Sequence, residues 1–198
     1  MCLVLCCSNN DMARTKQYRE EDVIQKAMDL FWRNGYEATS VRMLEKEMGI
    51  NQFSIYSSFG SKNGVFLESI KVYKNKLNSI RHTLKESNNG VLGIKQFFYD
   101  FLEFTKDNNL NKGCLVCNTV SELGNKAKPE VLAQLMKFTE EIRDLFLKNL
   151  EQVQGKTPEA VEKEANFLMT SMLGLSLGSR ILEKQQLDDF IETTFKSI

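Results

Sequence analysis

A chain of 198 residues with 42% hydrophobic and 26% charged side chains holds enough apolar material for one large folded unit, or for a small one joined to a medium one. A formal net charge of zero excludes a nucleic-acid binder that works by bulk positive charge alone. Five cysteines, three of them crowded at Cys2, Cys6 and Cys7, exclude a secreted disulfide scaffold.

The charge is spread unevenly. Residues 12–75 carry 10 Lys+Arg against 8 Asp+Glu, and residues 76–198 carry 16 against 17. The sign suits a DNA-binding N-terminal part, by a small margin. The opening stretch lacks the basic start and the length of a signal peptide, so Met12 is read as the natural start and residues 1–15 as a disordered extension. The apolar run Phe167–Leu177 is too short, and too interrupted by Thr170, Ser171 and Gly174, to span a membrane. A cytoplasmic protein without a membrane partner is expected.

Only two prolines occur, Pro129 and Pro158, which favours an all-α chain over a turn-rich sheet protein. The first helix is expected over Glu20–Asn34, where Val23, Ile24, Ala27, Leu30 and Phe31 recur at helical spacing and Gly35 ends the pattern. Thr39 or Ser40 can cap a second helix that buries Val41, Leu44 and Met48. Gly49 breaks it, and Asn51 can cap a short third helix through Ser58. Ile55 and Phe59 then lie four residues apart and face inward together. Gly60 stops this helix, and Ser61 caps a fourth that begins near Lys62. Beyond it, helices are expected at Val65–Glu86, Val91–Asp107, Cys114–Leu123, Pro129–Gln152, Pro158–Ile181 and Leu187–Phe195. Pro129 and Pro158 suit first helical positions.

Helix, glycine turn and short helix are the parts of a helix-turn-helix unit. With Ile55 and Phe59 turned inward, Gln52, Phe53, Tyr56 and Ser57 point outward. A face of amide, hydroxyl and aromatic groups suits the major groove of DNA better than it suits a scaffold.

The stretch from Thr39 to Lys62 resembles the DNA-binding signature of TetR-family repressors, with Phe31 and Gly35 upstream and Thr39, Gly49, Ile50, Ile55, Tyr56, Phe59 and Lys62 matching in joint spacing. The resemblance implies an obligate homodimer of nine-helix protomers. It implies phosphate contacts for Tyr56, Lys62 and Thr39, and leaves base reading to Gln52, Phe53 and Ser57, with Arg42 as an outer candidate. The chain departs from the family in having Phe53 where a small residue is common, and Asn63-Gly64 where acidic residues are common. The segment Gly113-Cys114-Leu115-Val116-Cys117-Asn118-Thr119 is also similar to a block in a subset of the family, some of whose members respond to electrophiles or aldehydes.

Cys114 and Cys117 admit two readings. One is a thiol sensor at a helix N-terminus, where the helix dipole favours the thiolate. The other is a pair of small buried hydrophobes. A thiol-redox enzyme using the pair is the alternative function, although the βαβ setting of such enzymes is missing. No metal site and no cofactor are expected: His82 is the only histidine, and the cysteine pair has no second pair at ligand spacing.

Phe97, Phe98, Phe101 and Phe104, with Met136, Phe138, Phe167, Met169 and Met172, either pack as core or line a cavity for an inducer. The ligand-binding candidates are Phe98, Phe101, Cys114, Asn118, Phe138, Met169 and Met172, and the absence of a charged anchor favours an apolar or electrophilic small molecule. Ser171, Gly174 and Gly178 place small residues one turn apart. With Phe190 and Phe195 of the last helix they are read as the seam of a homodimer built as a four-helix bundle. The expected architecture is therefore all-α. Residues 16–62 form a three-helix DNA-binding domain, and residues 63–198 form a helical ligand-binding and dimerisation domain. The expected function is a ligand-responsive regulator, read as a repressor, that binds a palindromic double-stranded operator and is released by a small molecule, with the fourth helix as hinge.

Overall fold

The computed structural model describes residues 18–107, 110–196 and 198, and the expected extension over 1–15 lies outside them. Among the described residues there are ten α-helices: α1 (Glu20–Asn34), α2 (Val41–Met48), α3 (Gln52–Phe59), α4 (Lys62–Lys76), α5 (Asn78–Lys85), α6 (Val91–Phe104), α7 (Leu115–Leu123), α8 (Pro129–Leu150), α9 (Pro158–Gly178) and α10 (Lys184–Thr194). A minimal antiparallel ladder, β1 (Lys106–Asp107) with β2 (Leu110–Asn111), stands between α6 and α7. The all-α expectation holds.

α1 has the expected bounds because its signals agree. Glu20, Glu21 and Asp22 lie in the first turn, where the helix dipole favours negative charge. Val23, Ile24, Ala27, Met28, Leu30 and Phe31 form a continuous buried stripe. Phe31 and Phe66 then meet edge to face at 4.9 Å, which locks α1 onto α4. Ser40, not Thr39, caps α2 by accepting the Met43 amide, and Asn51 caps α3 by accepting the Ser54 amide at 2.8 Å. Between them Gly49 takes a left-handed conformation (φ 71°, ψ 24°), which glycine adopts without the Cβ penalty.

The single helix expected over Val65–Glu86 is two helices, and nine helices become ten. Leu77 separates α4 from α5 and is fully buried. Asn75 and Asn78 flank it, and asparagine competes with the helix for its own backbone groups. α6 ends at Phe104, short of the expected Asp107, because Lys106 and Asp107 pair with Asn111 and Leu110 instead.

The body is organised on the antiparallel pair α8 and α9. Arg143 of α8 bonds to Asn166 at 2.7 Å and to the Glu162 carboxylate, which fixes the register of the two helices. α10 closes over α6 and α9, tied by Glu192, which accepts from Lys95 at 2.8 Å and from Tyr99 at 2.7 Å. One hydrophobic core runs without a break from Val23 in α1 to Ile191 in α10. Head and body are therefore packed together rather than strung on a linker.

Candidate nucleic-acid interface

α3 is seated from behind and exposed in front. Ile55 is fully buried and Phe59 partly so, whereas Gln52, Tyr56 and Ser57 are exposed and Phe53 is 80% exposed. An aromatic ring held this far into water on a short, well-capped helix gains nothing from the fold of its own chain. The Gln52 amide N–H donates to Glu45 Oε1 at 3.1 Å, which ties α3 to α2, and the Gln52 side chain approaches the Tyr56 hydroxyl at 3.4 Å. Arg42 is exposed on the first turn of α2. Gln52, Phe53, Tyr56, Ser57 and Arg42 therefore share the solvent side of the helix-turn-helix unit.

Lys62 stands at the first position of α4. Its ammonium lies over the Tyr36 ring, 4.3 Å from the centroid, and reaches the Glu37 carbonyl at 3.5 Å. Gly64 follows, and its unusual presence has a steric reason: a Cβ there would lie 1.8 Å from the Phe59 carbonyl oxygen. The backbones of α3 and α4 touch at this point.

Thr39 does not belong to this surface. Its side chain is fully buried, and its hydroxyl donates to the Gly35 carbonyl at 2.6 Å. The hydroxyl expected to reach a phosphate instead closes the turn between α1 and α2.

The residues expected to line a cavity are packed against one another. Phe98 packs edge to face on Phe195 at 5.0 Å and against Phe146 at 5.9 Å, Phe101 stacks on Phe97, and Phe138 faces Tyr73. With Met169 and Met172 they are buried core. The helical spacing that aligned these rings on one face of α6 also lets them fill the interior. Asn118 donates to the Lys112 carbonyl at 2.7 Å and meets Arg180 at 3.5 Å, so its polar ends are engaged. Two surface clefts lie elsewhere. One of about 420 Å³ between α5 and α6 is lined by Ile80, Leu84, Leu92, Gln96 and Phe97; another of about 500 Å³ lies between α1, α3 and α4. Met136 and Phe167, read as cavity candidates, face solvent.

On the expected seam, Ser171 is buried, Gly178 packs within the chain near Leu182 and Leu187, and Phe195 covers Phe98. Gly174 and Phe190 are exposed, and a Cβ at Gly174 would meet nothing within 4 Å. The apolar groups that do face solvent here are Phe167, Leu177, Ile181 and Leu182. The register set by Arg143 brings Leu132 and Met136 of α8, also exposed, level with the stretch from Thr170 to Leu177. The sequence reading placed Met136 in the core or a cavity and did not single out Leu132, because α8 shows an ordinary amphipathic pattern.

Cys114 precedes α7, and Cys117 lies in its first turn; both are free and buried. The Cys114 amide donates to Ser176 Oγ at 3.0 Å. Burial pushes the Cys114 thiol up, but the polar groups around it, the Cys117 and Tyr73 side chains and the backbone amides that open α7, outweigh it and hold the thiol below its ordinary range. The neighbouring Cys114 thiol, together with burial, pushes Cys117 well up. No group of three or more potential metal ligands occurs among the described residues, and no helix among them is long and apolar enough to cross a membrane.

This geometry defines a helix-turn-helix unit joined to an all-helical body. Residues 23–69 match the family described as bacterial regulatory proteins, tetR family. The chain is 23% identical over 191 residues to the HTH-type transcriptional regulator YezE of Bacillus subtilis (strain 168), covering 92% of this chain and 97% of that one. It is 24% identical over 182 residues to the HTH-type transcriptional repressor ComR of Escherichia coli (strain K12), covering 88% and 85%. Among solved structures, a cysteine mutant of the TetR-family regulator CifR complexed with a 26-base-pair operator superposes with a TM-score of 0.81, at 24% identity, over 93% of this chain and 98% of that one. Over residues 23–69 the chain is thus similar to the DNA-binding part of the tetR family, and over most of its length it shares the fold of the TetR-family regulator CifR. Its relatives are regulators, so the thiol-redox enzyme is set aside.

Proposed function

We propose that the protein is a repressor that binds a palindromic operator as a homodimer and leaves it when a small molecule acts on the body. The division proposed is a DNA-binding head over 16–62 and a ligand-binding, dimerising body over 63–198. The observation that carries the DNA-binding part is the outward face of α3, where Phe53 is 80% exposed beside Gln52, Tyr56 and Ser57 on a helix anchored by Ile55. Gln52 suits adenine and Phe53 a thymine methyl, with Ser57 and Arg42 beside them. Tyr56 and Lys62 suit phosphates.

Dimerisation follows from the half-site geometry. One short helix reads too few base pairs, and two such helices read a palindrome when a two-fold axis spaces them by roughly one DNA turn, about 34–36 Å. The exposed apolar groups of α9 and of the turn between α9 and α10, joined by Leu132 and Met136 of α8, are the surface proposed to lie on that axis.

For the effector, a reading through Cys114 is favoured by the polar surroundings that hold its thiol below the ordinary range and by its place at the entry to α7, beside the Trp32–Gly113 bond. An electrophilic alkene such as an α,β-unsaturated carbonyl would add to Cys114 Sγ: the S–C bond forms as the C=C π bond breaks, and the thiol proton ends on the α-carbon. Cys114 is buried together with the expected cavity residues, so the body must open to admit such a molecule.

The test is selection of bound DNA from a random pool, followed by gel-shift titration at several salt concentrations. Lys62→Ala is expected to weaken binding to all sequences and to lower the salt slope by about 1. Tyr56→Phe is expected to weaken binding without changing base preference. If both variants keep the affinity and slope of the parent protein, the interface is wrong.

A further inference from the structure

We propose that Glu122 is a positioning residue for DNA binding: its carboxylate, lodged in the turn after α1, holds the head at a fixed angle and links α7 of the body to the operator. This rests on the DNA-binding function proposed above.

Glu122 stands on the last turn of α7. Its Oε2 accepts the backbone N–H of Tyr36 at 2.8 Å, and its Oε1 accepts that of Glu37 at 2.7 Å, across 86 and 85 residues of sequence. These two amides lie in the turn that follows α1, beyond the cap bond from the Gly35 N–H to the Phe31 carbonyl. Both oxygens of one carboxylate are engaged, so the contact fixes direction as well as distance. The turn is shaped to admit it. A Cβ on Gly35 would lie 2.8 Å from Glu122 Oε2 and 2.9 Å from Oε1, and Gly35 sits at φ 84°, where a side chain is strained in any case. Glycine and carboxylate fit as socket and peg.

The other end of α7 is fastened to the same helix. The Trp32 indole N–H donates to the Gly113 carbonyl at 2.8 Å, one residue before Cys114. The segment from Gly113 to Glu122 is thus tied at each end to the region where α1 finishes, by one directed contact to Trp32 and two to the turn after the helix. From Tyr36 the connection continues outward, because its ring carries the Lys62 ammonium at 4.3 Å. A displacement of α7 cannot leave Tyr36 and Lys62 where they are unless the Glu122 bonds break. α4, the expected hinge, is then the element that yields, and α7 is the element that pushes.

The experiment uses the full-length protein and an operator obtained from a random pool. Glu122→Gln keeps the shape but turns an NH2 group toward one of the two amides, so only one bond survives. Two heads without a fixed angle must be ordered when they bind, and operator affinity is expected to fall five-fold or more, within the 5–150-fold range of ordinary coupling between sites. The salt slope should not change, since no phosphate contact is lost. By reciprocity, adding operator should increase the hydrogen-exchange protection of residues 115–123 in the parent protein and leave them unaltered in Glu122→Gln. Gly35→Ala, a second cut at the same contact from the other side, should reproduce the loss, and the double variant should add little to either. Unchanged affinity in Glu122→Gln overturns the proposal. So does weakened affinity with the α7 response intact, which would make Glu122 a local brace, and so does full additivity of the two substitutions. A parent protein that binds no DNA from the pool would instead overturn the DNA-binding function and this proposal with it.

Discussion

The indole N–H of Trp32 and the carbonyl of Gly113, 81 residues apart, meet at 2.8 Å in a buried hydrogen bond between α1 and the entry to α7. Trp32 also lies edge to face against Tyr73 at 5.1 Å and stacked on Phe104 at 5.5 Å, so its ring is held independently of the bond. Trp32→Phe keeps an aromatic ring and leaves the Gly113 oxygen buried without its partner. The expected cost is about 1–3 kcal/mol. For a chain of this size that corresponds to a fall in melting temperature of roughly 2–10 °C, read by calorimetry. A melting temperature equal to that of the parent would show that water replaces the indole without loss.

Phe53→Ala separates reading from holding. Removing a ring that touches only the duplex should cost about 1–3 kcal/mol at one base-pair position and leave the salt slope alone. Protomer stability should not fall, since the ring is 80% exposed. Binding-site selection with the variant would show the lost preference as one degenerate position in each half-site. Equal weakening on every sequence would mean that Phe53 packs on sugar or backbone instead.

Thr39→Val tests the reassignment of this residue. The buried hydroxyl closes the turn to Gly35, so its loss should lower unfolding stability by about 1 kcal/mol while the salt dependence of operator binding stays as in the parent. A reduced slope with unchanged stability would return Thr39 to the phosphate contacts.

Gly174→Leu addresses the dimer without touching the protomer. A Cβ at Gly174 meets nothing within 4 Å of its own chain, and replacing a helical glycine gives a small gain, up to about 1 kcal/mol. If a second copy approaches closely there, the larger side chain should raise the dissociation constant of the dimer by an order of magnitude or more, measured by sedimentation. Ile181→Glu, at a residue 84% exposed, should act in the same direction. Association unaltered in both variants would place the two-fold axis on another face.

The two thiols should separate by pH. Cys114 is held below its ordinary range and Cys117 well above it, by their polar surroundings and by each other's nearness. As pH rises, the thiolate of Cys114 appears first, so limited alkylation followed by peptide mapping should label Cys114 on the acid side of the free-thiol value of about 8.5, with Cys117 unlabelled. Cys117→Ala removes a neighbour that favours the Cys114 thiolate and should move that labelling midpoint to higher pH. Labelling of Cys117 ahead of Cys114 would reverse the assignment.

The head was legible in the sequence because each of its elements is signalled locally. Ser40, Asn51 and Ser61 cap helices whose ends fall at Gly49 and Gly60, and Ile55 fixes which side of α3 faces out. The body was legible as helices but not as a site. Phe98, Phe101 and Phe138 sit at spacings that serve a packed core and a cavity equally, and only the positions of Phe146, Phe195 and Tyr73 decide between them. Glu122 carries no sequence signal, since a glutamate near a helix end is common and its partners are backbone amides 85 and 86 residues away. Leu77 breaks a helix without glycine or proline, and the flanking Asn75 and Asn78 are a weaker signal than either.

Gly64 bears on how such a molecule can change its grip. With only 1.8 Å between the place of its missing Cβ and the Phe59 oxygen, the end of the recognition helix lies directly against the first turn of the helix behind it. A motion that keeps this contact swings the three-helix unit as a solid piece, so the bases are met by a face of constant shape and only its reach across the groove is adjustable. Mutants that bind more loosely or tightly through the body should therefore keep the same preferred sequence.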